Sequence, residues 1–169
     1  RQFVWNGTSW TNIFWNLGSG TQIKTASANQ SVTNSITLTS HNELSFTIGA
    51  NETVVFQYTL LVTNANSATP DWKAAILAPA GSTCNVTMSG EEPSGASFPQ
   101  SNTTDCTTPT ALINNTIVAD VNVPFQVYVN GYVTSGATPG TVNLQFAENT
   151  LGAGTSVTIM SGSYLQAFQ

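Results

Sequence analysis

Charge is what this sequence has least of. Of its 169 residues, three are Lys or Arg and eight are Asp or Glu, 7% in all, against about 25% in ordinary globular domains. Three scattered bases and a net charge of −5 leave no basic footprint, so nucleic-acid binding is not expected. No stretch of about 18 apolar residues offers a membrane-spanning helix, and no membrane insertion is expected. There is one histidine, His41, and there are two cysteines with no CxxC spacing, so no metal site and no cofactor is implied. A phosphate loop, a nucleophile elbow and an EF-hand-like run of carboxylates are also missing. The helix formers Lys, Arg, Glu and Met are scarce. The chain does not begin with Met and shows no signal peptide. That implies a processed product, a trimmed chain or a piece of something longer.

Ser, Thr, Asn and Val fill the space that charge leaves, a composition that favours strands. Short apolar runs alternate with polar residues and end in Gly, Pro, Asn and Ser punctuation. "ELSFTIG" alternates Leu44, Phe46 and Ile48 against Ser45 and Thr47. "TVVFQYTLLVTN" sets Val54, Phe56, Tyr58 and Leu60 on one face, and Val55 suggests burial on both faces at that end. "VNVPFQVYVNGYVTSG" alternates Val123, Phe125, Val127 and Val129, with Pro124 suited to a strand start. Phe46, Phe56, Phe125 and Phe146 read as core. "EEPSGASFPQSNTTDCTTPT" has three prolines and no period, and reads as a long surface loop. No segment carries an apolar stripe of helical period. About ten strands at about twelve-residue spacing make an all-β protein, an antiparallel β-sandwich or barrel.

Three of the four tryptophans, Trp5, Trp10 and Trp15, fall in the first fifteen residues. Asn6-Gly7 signals a two-residue hairpin turn, which would set Trp5 opposite Thr8 and Phe3 opposite Trp10. Residues 1–20 then form an aromatic arm or hairpin closed off by "GSG", and residues 21–169 one sandwich domain. Phe3, Trp5, Trp10, Phe14 and Trp15 are the expected subunit-contact arm, because an end segment lies outside the main alternating pattern.

Cys84 and Cys106 are expected to form a disulfide across the loop between them, which suits an extracellular setting; the alternative is two reduced, buried thiols. Six Asn-X-Ser/Thr sequons occur among 17 Asn, little above the number that so much Ser and Thr gives by chance. No catalytic set rises above background. Glu91-Glu92 reads as a solvated loop pair. His41 could act as a base with Ser40 or Asp71, but "TSHNEL" reads as an exposed turn. Asp71 and Lys73 flank Trp72 and would share a strand face. Asp71, Glu148 and Asp120 could meet as metal ligands only through the fold.

From about Leu38 to Gln169 the chain resembles a β-rich domain recurrent in tailed-bacteriophage virion proteins. The stretches that carry the resemblance are "LSFTIGANETVVFQYTLLV", "TPDWKAAILAPAGSTCNVT" and "GTVNLQFAENTLGAGTSVTIMSGSYLQAF". "FVWNGTSWT" resembles short aromatic hairpins upstream in phage fibres. The chain departs from the group in its cysteine pair, its Cys84–Cys106 segment and Leu77-Ala78-Pro79. The resemblance implies a jelly-roll-like sandwich, often trimeric, on a virion surface. The expected function is a non-enzymatic virion structural protein, a capsid decoration or tail-fibre domain. Its expected partners are other virion proteins, further copies of itself and a surface glycan. Two other readings stay open: a filament or pilus subunit that exchanges an N-terminal strand, and a glycan-binding module.

Overall fold

The computed structural model describes residues 3–5, 10–12, 20–65, 72–91, 97–108, 112–113, 123–151 and 154–169. Within them every regular element is a strand. β1 (Phe3–Trp5) and β2 (Trp10–Asn12) form a two-stranded sheet of their own. The remaining strands are β3 (Gln22–Thr25), β4 (Gln30–Thr33), β5 (Thr39–Ile48), β6 (Thr53–Ala65), β7 (Trp72–Leu77), β8 (Thr83–Glu91), β9 (Ser97–Thr103), β10 (Leu112–Ile113), β11 (Phe125–Thr134), β12 (Gly140–Glu148), β13 (Ser156–Ile159) and β14 (Tyr164–Phe168). The sequence predicts about ten strands; fourteen occur among the described residues.

The strands build two antiparallel sheets. One runs β10-β7-β12-β5; the other runs β3-β14-β6-β11-β8-β9. β6 is long enough to hold β14 along its first half and β13 along its second, and β4 pairs with β13. The connectivity is nested. β8 pairs with β9, β7 with β10, β6 with β11 and β5 with β12. One long hairpin, centred between β8 and β9, is thus wrapped so that alternate strand pairs fall in opposite sheets. That is the jelly-roll topology, used by viral capsid and lectin domains and by cupins.

The core lies between the sheets. Val54, Phe56, Tyr58, Leu60 and Val62 of β6 face Leu44, Phe46 and Ile48 of β5 and Val142, Leu144 and Phe146 of β12, all buried. Phe46 and Phe56 meet across the sheets at 5.4 Å between ring centroids, and Tyr58 stands edge-on to Phe56 at 5.6 Å. Such tilted and edge-on pairs add to plain area burial. Phe125 belongs to the same core, so all four phenylalanines read as core are core. Burial lifts the Tyr58 hydroxyl well above its ordinary range.

Three expectations are corrected. The segment read as a long loop contains β9, which pairs with β8. β9 is the edge strand of its sheet, where Pro99 removes no needed donor. Val55 is not the doubly buried end of β6. It is 55% exposed, and burial on both faces comes at Thr59, where the outward side is closed. Thr59 sits between Tyr128 and Tyr164 in the register, and those large neighbours cover it. The β1–β2 register is Phe3↔Asn12, Val4↔Thr11 and Trp5↔Trp10, so four residues rather than two separate the strands. This register places the Trp5 and Trp10 backbones directly opposite each other, and four-residue connections are well tolerated. The step is of two residues, so the alternation is preserved.

Candidate functional site

The N-terminal hairpin is the first candidate. Phe3, Trp5 and Trp10 belong to β1 and β2, which pair only with each other among the described residues. Phe14 and Trp15 lie outside the described residues.

The cysteines meet as expected. Cys84 and Cys106 are bonded, with 6.3 Å between Cα atoms and a separation of 22 positions in sequence. Cys84 is the second residue of β8 and Cys106 follows β9. The bond therefore closes the open end of the β8–β9 hairpin rather than pinning a loose loop. The Cys106 carbonyl accepts from the Ala78 amide at 2.7 Å, which ties this corner to the end of β7.

His41 is the second candidate, and the expected exposed turn is corrected. His41 lies within β5 and is 3% exposed. "TSHNEL" continues directly into the apolar alternation of "LSFTI", and packing beside Phe146, 6.2 Å away between ring centroids, overrides its polar look. Nδ1 accepts from the amides of Glu43 and Leu44, both at 3.2 Å. Nε2 is buried with no partner among the described residues. An imidazole with its one lone pair committed to two backbone donors cannot serve as a general base. Ser40 Oγ accepts from Gln145 Nε2 at 3.2 Å and does not reach His41, whose Nδ1 is taken by the Glu43 and Leu44 amides. Asp71 lies outside the described residues.

A shallow hollow opens beside His41, between residues 27–30 and Asn42–Glu43. Its walls are spoken for. Glu43 accepts from the Ser27 amide at 2.7 Å and the Ser27 hydroxyl at 2.5 Å, and these bonds hold its carboxyl below the usual range. Gln30 spans to β5, donating to the Ser40 carbonyl at 3.0 Å and accepting from the Asn42 amide at 2.8 Å. Asn29 accepts from the Ser161 amide at 2.8 Å. The hollow is a staple between two segments.

This site carries a pH prediction. Burial pushes His41 below its ordinary value, against a smaller pull upward from Glu43. The unfolded imidazole titrates near about 6.5. Between the folded and unfolded values the unfolded chain binds more protons, so stability rises with pH. Melting temperature should therefore fall as pH drops from about 7 towards 5. In His41→Gln that slope should flatten. Glu43 acts in a separate, more acidic window: its contribution is present above the unfolded carboxylate pKa and is lost as pH falls through the lower folded value. Thermal melts of both proteins across the two windows check the assignment; an equal slope in both overturns it.

Glu148 is fully buried. Oε1 accepts from the Asn34 amide at 3.1 Å and Oε2 from the Thr155 hydroxyl at 3.0 Å. Asn34 takes a left-handed φ of 48°, and its Oδ1 accepts from the Gly154 amide at 3.2 Å. The carboxylate thus ties the β4–β5 turn to the β12–β13 connection. Asp71 and Asp120, named with Glu148 as conceivable metal ligands, lie outside the described residues. Among the described residues no three His, Cys, Asp or Glu side chains come close enough to hold an ion. Lys73 lies on β7, half-buried, and the side chains of Glu91 and Glu92 fall outside the described set.

No protein-family model matches the chain, and no curated protein matches it. Solved structures similar to it include the infectious bursal disease virus VP2 subviral particle, at 11% identity and a TM-score of 0.24, covering 88% of this chain and 36% of that one. The Gx strain of the same virus aligns at 12% identity and 0.21, covering 87% and 40%. The Gt strain aligns at 14% and 0.21, covering 88% and 37%. The chain spans well under half the length of these viral chains.

Proposed function

We propose that this chain is a non-enzymatic structural domain of a virus particle, displayed on its surface as a capsid decoration or tail-fibre domain. It works through protein–protein contacts with copies of itself and with other virion proteins, and a trimer is the favoured assembly. One observation carries the reading: a complete jelly roll, with a self-paired hairpin that has its own sheet and holds two of the chain's four tryptophans. The sequence resemblance to phage virion domains supports it, as does the absence, among the described residues, of any ladder between the hairpin strands and the sandwich. Residues 1–20 are the contact arm and 21–169 the sandwich. A strand-donating filament subunit is less well served, because β1 and β2 already spend one edge on each other.

The type of contact follows from composition. With 11 charged residues in 169, the surface cannot rest its specificity on ion-pair networks. Its contacts must be apolar and hydrogen-bonded through Ser, Thr and Asn. Apolar contacts tolerate moderate salt, whereas exposed ion pairs are screened over a Debye length of about 8 Å at physiological ionic strength. The assembly should therefore persist from about 0.05 to 1 M NaCl. Sedimentation across that series checks it; dissociation at high salt, or a monomer throughout, overturns self-association of this kind.

A further inference from the structure

The outward face of the larger sheet is built as a grid. Directly paired residues share a face, so the register fixes its rows. In one row Phe168 of β14, Val55 of β6 and Tyr132 of β11 lie side by side. The next outward row is Gln166, Gln57 and Asn130, extended by Ile23 on β3 and Thr87 on β8. The third is Tyr164, Thr59 and Tyr128. Four aromatic residues thus stand at the corners of a rectangle, with a line of three carboxamides through its middle. Strand geometry makes it about 14 Å along the strands and about 10 Å across them.

The grid is open. Val55 is 55% exposed, Tyr132 44%, Phe168 39% and Tyr164 36%. The Tyr128 hydroxyl donates to Gln126 Oε1 at 2.9 Å along its own strand, which fixes that corner. The three carboxamides contrast with others in the chain. Gln22, Gln30, Asn29, Asn34 and Gln145 all tie segments together. The side chains of Gln57, Gln166 and Asn130 have no such partner among the described residues. No charged residue occupies any position of the three rows. Charge enters only past their ends, as at Glu52, which takes hydrogen bonds from Gly49 and Gln169.

We infer that this face binds a neutral glycan across β14, β6 and β11. Protein interfaces put apolar anchors at the centre and polar groups at the rim. Here the order is reversed, with amides central and aromatics peripheral. Each carboxamide offers two donors and an acceptor, the chemistry that matches vicinal hydroxyls. Tyrosine and phenylalanine faces stack on the C–H faces of pyranose rings while a phenol keeps a polar edge wet. A sialylated or sulfated glycan would need Lys or Arg, and the grid has neither. The inference goes beyond the particle role and stands whether or not the chain assembles.

The test uses the intact protein and defined probes: tetrasaccharides of glucose, mannose and N-acetylglucosamine, with sialylated and sulfated oligosaccharides as charged counterparts. Saturation-transfer NMR and titration should detect at least one neutral probe and no charged one. Tyr132→Ala, Tyr164→Ala and Gln57→Ala should each weaken that binding by about two- to tenfold. All three positions are on the sheet surface, so melting temperature reports whether folding is retained. Ile36→Ala, at an exposed site outside the grid, should leave binding unchanged. No neutral probe bound at about 10 mM overturns the inference, as does equal binding of the charged probes. A Tyr132→Ala or Tyr164→Ala protein that binds sugar normally but sediments as a smaller species also overturns it, and makes the face a contact between copies.

Discussion

Deleting residues 1–17 should leave a folded monomer that no longer assembles. The physical reason lies in where the apolar area is. Among the described residues the sandwich core is drawn from β4–β8, β11–β14 and the residues flanking them, from Ala26 onwards. The nested pairs that define the jelly roll begin at β5. β1 and β2 pair only with each other among the described residues, so no ladder of the sandwich is broken by removing them. A buried tryptophan contributes 150–250 Å² of apolar area, or about 4–6 kcal/mol at about 25 cal/mol per Å². Association first offsets a large loss of rigid-body freedom. Losing even one such anchor, about 4 kcal/mol, therefore weakens assembly about a thousandfold. Thermal melting and sedimentation of the truncated chain read the two halves of the expectation separately. A truncated chain that fails to fold makes the arm part of the core. One that assembles unchanged removes the arm from the contact.

Local alternation made most of the sandwich legible. Val54, Phe56, Tyr58 and Leu60 point inward because period two needs no partner to be read. The same rule places Val127 and Val129, and the four core phenylalanines. What failed was whatever depends on a neighbour far away in sequence. β9 contains Pro99 and little alternation, and is a strand because β8 is there to pair with it. His41 looks like a turn residue and is buried because β12 brings Phe146 against it. Asn6-Gly7 is a strong local turn signal, yet the register settled on opposing Trp5 and Trp10. The aromatic and carboxamide grid is the extreme case. Its residues come from β6, β11 and β14, up to 113 positions apart between Val55 and Phe168. Val55 read as a buried position, and nothing in the sequence singled out the others. Only the register of three strands turns them into one surface.

Breaking the Cys84–Cys106 bond should lower the melting temperature by about 6–12 °C. A cross-link over 22 residues removes loop-closure entropy worth about 3 kcal/mol from the unfolded chain. For a domain of this size each kcal/mol moves the midpoint by about 2–4 °C. The loss should also be local. β9 is an edge strand, held along one side by β8 alone, and the disulfide closes the hairpin at the end opposite its connection. β6 and β11, paired with each other over ten residues, keep their ladders without it. Hydrogen exchange after reduction should thus quicken first in β9 and the end of β8, while the β6–β11 amides stay protected. Reduction is the cleaner arm, because Cys84→Ala with Cys106→Ala also empties volume at two buried sites. Alkylation of the unreduced native protein followed by intact mass settles whether the bond is present in solution. Two alkylated thiols there, or an unchanged midpoint on reduction, would show that the corner is held instead by packing and the Ala78–Cys106 hydrogen bond.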